Sequence, residues 1–136
     1  MSAVRSAVIP SELLFGTVVP AMVTPMTDEG AVDLEVAAAL AEHLVDRGAD
    51  GLVVTGTTGE TSTLTDEENL AMFRTVVEAV GDRAKVIAGT GTNDTAHSVE
   101  LSRKAAETGV DGLLIVTPYY NKPNQAGIRA HFEAIA

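Results

Sequence analysis

Two polar loops hold the side chains best able to do chemistry, and the first is "GTTGE" (Gly56–Glu60). It places two adjacent threonine hydroxyls between glycines and follows the apolar run "GLVV" after one intervening residue. Glycines let a backbone approach a ligand closely and take unusual φ angles, and successive N–H groups in such a turn attract anions. Thr57 and Thr58 add hydroxyl donors, so the turn suits a planar carboxylate or a phosphate. The alternative is a tight turn in which both threonines satisfy nearby backbone groups.

The second loop, "PYYNKP" (Pro118–Pro123), contains both tyrosines of the chain, Tyr119 and Tyr120. A phenol donates and accepts hydrogen bonds, so it can relay a proton when it is bonded to another hydroxyl. Adjacent side chains point in different directions, so one tyrosine would face a site and the other an interface. Spacing alone favours the simpler interpretation, in which both are surface or interface aromatics.

Composition limits the classes of partner. The 136 residues carry a net charge of -10 and contain no cysteine. A negative surface repels nucleic acid and anionic membranes, so neither is an expected partner. The absence of cysteine excludes disulfides and thiolate catalysis and fits a cytoplasmic protein. No apolar run approaches the roughly 20 residues that span a bilayer.

Neither a metal nor a cofactor is expected. His43, His97 and His131 have no metal-ligand spacing, so we predict that they are structural or solvated. The loop "GTGTND" (Gly89–Asp94) lacks the last glycine of the dinucleotide-binding motif, and the sequence has no phosphate-binding G-K-[ST].

The chain alternates short apolar runs with amphipathic segments, a pattern typical of βα units. The predicted strands are Gly16–Thr24, Gly51–Val54, Lys85–Gly89 and Gly112–Val116. The first predicted helix ends at Gly48, and the second begins with a capping box of Thr65 and Glu68 and ends at Gly81. The third is capped by Asn93 or Asp94 and runs to about Gly109, and the fourth begins at Asn124.

An internal repeat supports this organisation, since "GADGL" (Gly48–Leu52) and "GVDGL" (Gly109–Leu113) share the pattern G-x-D-G-L. Buried strands separated by helices form a parallel sheet. Four βα units fit either a doubly wound sheet or part of a (β/α)8 barrel, which needs about 250 residues when complete. In both folds the functional loops follow the carboxyl ends of the strands. We predict that residues 1–14 are an extension and residues 15–136 are one α/β unit.

Four motifs together carry a resemblance: "VTPM" (Val23–Met26), "GTTGE", "IAGTGTN" (Ile87–Asn93) and "VTPYYNKP" (Val116–Pro123). In this order and spacing, from about residue 16 to residue 136, they resemble the dihydrodipicolinate synthase family. This is a family of class I aldolases that includes N-acetylneuraminate lyase. The resemblance implies a (β/α)8 TIM barrel, of which this chain supplies the N-terminal half, about the first four βα units.

The resemblance also implies an activity. In the family, pyruvate forms a Schiff base with a lysine, and its enamine attacks L-aspartate 4-semialdehyde in diaminopimelate and lysine biosynthesis. Thr58 matches the position that holds the pyruvate carboxylate, and Thr57 matches a hydroxyl that bridges two tyrosines in a proton relay. Tyr120 matches the relay tyrosine that reaches a neighbouring subunit of a homotetramer built as a dimer of dimers.

The family's Schiff-base lysine and its second relay tyrosine lie on the sixth and fifth strands, beyond residue 136. Lys85 precedes a strand at the opposite end of the barrel, Lys104 lies within a helix, and Lys122 lies in an exposed loop. Nothing near them would activate a nucleophile. We therefore expect the 136 residues alone to be inactive.

The family's lysine effector site is altered. Asn93 and Tyr119 match positions that contact the effector. His97 stands where a carboxylate is usual, and Asp66 and Asn69 stand where histidines are usual. Because an α-amino group needs a carboxylate partner, strong inhibition by lysine is not expected.

Three other functions stay open. One is a sibling pyruvate-dependent aldolase. Another is a non-catalytic dimer of half barrels that binds a small carboxylate at GTTGE. Dimerisation would cover the two open edges of an unpaired half barrel. The last is an unrelated doubly wound binding domain.

Overall fold

The computed structural model describes residues 14–136, so the predicted extension lies almost wholly outside the described residues and stays a prediction. The described residues form one parallel three-stranded sheet with four α-helices and a short 3-10 helix. The strands are β1 (Gly51–Val54), β2 (Lys85–Gly89) and β3 (Gly112–Leu114), in that spatial order. The α-helices are α1 (Leu34–Asp46), α2 (Asp66–Val80), α3 (Thr95–Ala106) and α4 (Gln125–Ile135), and the 3-10 helix is Thr61–Thr63.

The starts of the helices follow the predicted caps. In the capping box of α2, the Thr65 hydroxyl accepts the Glu68 N–H at 3.2 Å and the Glu68 carboxylate accepts the Thr65 N–H at 2.7 Å. The Asp94 carboxylate, and not Asn93, caps α3 by accepting the N–H of His97 at 3.1 Å. Asn124 caps α4. Such caps depend on residues three apart in sequence, which is why the sequence predicts them well.

The prediction of a strand over Gly16–Thr24 is wrong. This segment runs parallel to β1, where the Met22 N–H donates to the Val53 carbonyl at 2.9 Å and the Val53 N–H donates to Pro20 at 3.0 Å. It forms only one isolated bridge, between Ala21 and Val53. Pro20 has no N–H to donate, so a regular ladder cannot continue through it.

Two other predicted elements are shorter than expected. The strand β3 ends at Leu114 and not at Val116, since its partner β2 ends at Gly89, directly opposite Leu114. The helix α3 ends at Ala106, three residues before the predicted Gly109.

The core lies between one face of the sheet and the helices α1 and α2. Leu52, Val54 and Val86 are fully buried there against Phe73 and Val76. Each such side chain contributes about 1.5–3 kcal/mol relative to an exposed one. On the opposite face of β3 and just beyond it, Leu114 and Val116 are exposed within the described residues.

The repeated G-x-D-G-L pattern forms the same joint twice. The carboxylates of Asp50 and Asp111 each accept a backbone N–H from the neighbouring segment of the sheet, from Val18 and Val86 respectively, both at 2.9 Å. Lys85 Nζ adds an ion pair to Asp111 at 2.6 Å. The sequence repeat therefore corresponds to a hydrogen-bonded contact between neighbouring segments at the amino end of the sheet.

These joints predict a loss of stability in acid. Hydrogen bonds from the backbone of Val18 and Thr17 hold the pKa of Asp50 below its ordinary 3.8. Burial raises the pKa of Asp111, but hydrogen bonds from Lys85 and Val86 outweigh it, so the net pKa is lowered. A lowered pKa in the folded state stabilises the fold above the unfolded value, and this stabilisation disappears as the pH falls through the folded value.

We therefore expect Asp50→Asn and Asp111→Asn to lower Tm at about pH 7 and to lower it less at about pH 2, because the stabilisation by the carboxylates declines as the pH falls toward their lowered folded-state pKa values. Thermal melts followed by circular dichroism across this range measure the effect. Asp28→Asn, at an exposed turn position, is the matched control. Losses of Tm that are equal at both pH values would contradict the role assigned to the two carboxylates.

Candidate active site

The GTTGE turn leaves polar groups free at the carboxyl end of the sheet. Inside the turn, the N–H of Gly59 donates to Gly56 at 3.0 Å and the N–H of Glu60 donates to Thr57 at 3.1 Å. The N–H groups of Thr57 and Thr58 have no acceptor among the described residues. Both side chains are exposed. Two consecutive N–H groups with their hydroxyls are therefore available to an anionic ligand.

Of the two glycines of this turn, Gly59 allows close packing against backbone, and the prediction that the pair takes unusual φ angles is wrong. The left-handed residues are instead Thr55, with φ 46°, and Glu60, with φ 58°. A Cβ on Gly59 would lie 2.8 Å from the Cα of Thr55 and 3.2 Å from the carbonyl oxygen of Met22. The turn therefore sits directly against the backbone beneath it, which only glycine permits.

A cavity of about 240 Å³ opens beside the turn, at the carboxyl end of the sheet. It brings together Thr57 of the first polar loop and Tyr119 of the second, which lie far apart in sequence. Its lining is rich in hydroxyl groups and consists of Thr57, Thr61, Ser62, Gly91, Thr92, Val116 and Tyr119. Its size fits a small molecule better than a nucleotide or another large ligand.

The two tyrosines face different surroundings. Tyr119 lines the 240 Å³ cavity, whereas Tyr120 does not line it and is 90 % exposed. The backbone separates them, since Tyr120 has φ 66° and the N–H of Asn121 donates back to the carbonyl of Tyr119 at 2.7 Å. Sequence predicted the divergence of the pair, and the structure decides which member lies at the cavity.

A second cavity of about 180 Å³ lies between the starts of α2 and α3. Asn93, Tyr119, Asp66, His97 and Asn69 are among its lining residues. Across it, His97 Nε2 and Asp66 Oδ1 are 2.8 Å apart. The sequence analysis placed both residues at the effector site that the resemblance implies, but it did not predict that they pair with each other.

None of the chain's three lysines, Lys85, Lys104 and Lys122, lines the 240 Å³ cavity. Lys85 is paired with Asp111 at the amino end of the sheet, and Lys104 lies 3.6 Å from Glu100 within α3. Lys122 lies in the loop after Tyr120 with φ 46°. No lysine of this chain is therefore placed to react with a molecule in that cavity.

His131 fits the prediction of a structural histidine only in part, since its Nε2 is buried without a hydrogen-bond partner among the described residues. His131 is buried, and its Nδ1 lies 2.9 Å from the hydroxyl of Thr95.

Within residues 14–136 no helix is both long enough and apolar enough to cross a membrane.

Comparison with known proteins decides the family. The model of the dihydrodipicolinate synthetase family matches residues 14–136. The chain belongs to this family. Among curated relatives, the 4-hydroxy-tetrahydrodipicolinate synthase of Moorella thermoacetica is 62% identical over 122 residues. That match covers 90% of this chain and 42% of the Moorella protein, so the chain spans less than half of the relative's length.

Solved structures agree with the sequence comparison. The synthase from Cyanidioschyzon merolae with lysine bound superposes with a TM-score of 0.90 at 50% identity, covering 92% of this chain and 43% of the other. The chloride-inhibited enzyme from Acinetobacter baumannii complexed with pyruvate gives 0.86 at 41% identity, covering 90% and 42%. A monomeric synthase variant gives 0.85 at 38% identity, covering 90% and 40%. The predicted fold class, a TIM barrel of which this chain is part, is confirmed.

Proposed function

We propose that this chain forms part of the active site of a 4-hydroxy-tetrahydrodipicolinate synthase, which condenses pyruvate with L-aspartate 4-semialdehyde. The observation that carries the proposal is the pair of unpartnered N–H groups at Thr57 and Thr58, at the carboxyl end of the sheet. In barrels of this class the active site lies at that end. The family of the chain and the name of its Moorella relative agree with it.

The carboxylate of pyruvate is the group that the GTTGE turn suits. The N–H and hydroxyl of Thr58 supply two donors, and a carboxylate accepts donors more strongly than a neutral oxygen does. The cavity beside the turn, which Thr57 lines and Thr58 does not, is small enough to favour a molecule of pyruvate's size. The Acinetobacter relative, which was solved with pyruvate, supports the same substrate.

The proposed chemistry needs a lysine from outside these 136 residues. Schiff-base formation requires an unpaired amine beside the carbonyl carbon of pyruvate, and no lysine of this chain lines the cavity. We propose that borohydride reduction with pyruvate labels the native protein and leaves an isolated 1–136 segment unlabelled. An adduct on the isolated segment would overturn this assignment.

Thr57 and Tyr120 have proposed roles in moving a proton. Thr57 lies at the cavity, where its hydroxyl can accept and donate in turn. The exposure of Tyr120 suits a side chain that enters the site of a second copy, so we propose a homo-oligomer, a tetramer built as a dimer of dimers.

Asn93 and Tyr119 form a proposed effector site, in which the pairing of His97 with Asp66 opposes the binding of lysine.

Thr58→Val tests the proposed carboxylate site directly. The variant removes one donor to a charged group, so we expect the KM for pyruvate to rise about 10- to 100-fold with a smaller change in kcat. Steady-state kinetics of the native protein with both substrates measures this. Thr58→Ser, which keeps the hydroxyl, should stay close to the wild type.

Thr63→Val is the matched control, because the Thr63 hydroxyl donates only to the nearby Glu60 carbonyl, at 2.9 Å. An unchanged KM for pyruvate in Thr58→Val would remove Thr58 from the substrate site. Turnover of pyruvate with other aldehydes and not with aspartate semialdehyde would favour a sibling aldolase. A native protein that binds pyruvate and forms no adduct would favour the non-catalytic alternative.

A further inference from the structure

Two unfavourable features coincide at Thr55, directly after β1. Its φ of 46° is left-handed, which is costly for a β-branched residue. Its side chain is 0% exposed, and its hydroxyl has no hydrogen-bond partner among the described residues. A buried hydroxyl without a partner destabilises the fold, and native structures rarely leave one so. A hydrogen-bond partner other than the described residues would remove this cost at Thr55.

A small cavity of about 30 Å³ adjoins this residue. A buried water needs about 10–15 Å³ and two to four polar partners, so the space fits one water. Three hydroxyl-bearing residues line the cavity, namely Thr55, Thr57 and Thr61. The Thr61 hydroxyl donates to Asn69 at 3.2 Å, so its oxygen is left to accept a hydrogen bond. Glycines and the apolar side chains of Leu114 and Val116 complete the wall.

Thr57 lines both this small cavity and the 240 Å³ cavity beside it. A water bonded to Thr55 is therefore near the hydroxyl of Thr57, which moves a proton in the proposed relay. We propose that Thr55, through one internal water, fixes the orientation of the Thr57 hydroxyl at the active site. This rests on the proposed function. Thr55 is a positioning residue, because it touches no substrate and forms or breaks no bond.

The test uses Thr55→Val and Thr55→Ser in the native protein. Valine is β-branched and nearly the same size, so it removes the hydroxyl and keeps the shape. We expect Thr55→Val to lower kcat about 10-fold with the KM for pyruvate changed less than about 2-fold, in the range seen when outer partners of functional groups are lost. Thr55→Ser should restore most of kcat, which a purely structural role for the methyl group would not produce.

A crystal structure of the unmodified protein supplies a measurement that does not depend on the folding of any variant. We expect density for a water within hydrogen-bond distance of both the Thr55 and Thr57 hydroxyls. A dry cavity, or a side chain from elsewhere bonded to Thr55, would overturn the proposal. An active wild type with a fully active Thr55→Val would overturn it too, whereas a wild type inactive on pyruvate would instead overturn the proposed function.

Discussion

Thr57→Val should lower kcat of the native enzyme about 100-fold or more, the scale on which positioned acid–base groups act. Thr57 lines both the 240 Å³ cavity and the small cavity that adjoins Thr55. Valine keeps its volume but can neither accept nor donate a proton. Because the backbone N–H of Thr58 remains, pyruvate should still bind, and the loss should fall mainly on turnover.

Steady-state kinetics with both substrates, together with the rate of borohydride-trappable adduct formation, measures this effect. Thr57→Ser keeps a hydroxyl at the same place and should retain activity within about 10-fold of the wild type. Thr92→Val is a matched control, since Thr92 lines the same cavity but its hydroxyl bonds to Asp94 at 3.0 Å and to Ser98. If Thr57→Val turned over at the wild-type rate, the proton relay would have to run through other groups.

Gly89→Ala should strongly destabilise the fold, because the added methyl group meets backbone atoms at the carboxyl end of the sheet. A Cβ on Gly89 would lie 2.3 Å from the carbonyl oxygen of Thr55 and 2.9 Å from the N of Gly56. These are backbone atoms at the point where β1 becomes the GTTGE turn, so no rotamer change relieves the contact. We expect a loss of about 3 kcal/mol or more in the free energy of unfolding, roughly a 5–10 °C fall in Tm.

Gly56→Ala is the matched control for this measurement. Its Cβ would meet only side-chain atoms, 3.3 Å from Val53 and 3.6 Å from Leu114, so these can move aside. Thermal and denaturant unfolding of both variants in the native protein gives the comparison. A Gly89→Ala variant as stable as Gly56→Ala would show that β1 and β2 approach less closely than in this structure.

The elements predicted well are those decided by residues near one another in sequence. The β1 and β2 boundaries are confirmed, and so is the capping box of Thr65 and Glu68. The repeated aspartate of the G-x-D-G-L pattern was visible as a pattern. Its function became clear only when Asp50 and Asp111 were seen bonded to neighbouring segments of the sheet.

The strand expected over Gly16–Thr24 shows a limit of local pattern. Its valine-rich sequence predicts a strand, but pairing depends on which N–H groups meet a neighbour, and Pro20 has none to offer. Val18 and Val23 are also exposed among the described residues, although the pattern predicted a buried segment.

By itself, the sequence determined the βα order, the helix caps and the end of the sheet at which the polar loops collect. These follow from hydrophobic periodicity and from side-chain contacts with backbone a few residues away. Only the tertiary structure decided that Tyr119 and not Tyr120 lines the cavity, that His97 pairs with Asp66, and that Thr55 is buried without a partner. Each of these depends on how loops from different strands meet, and residues far apart in sequence carry no local signal of that meeting.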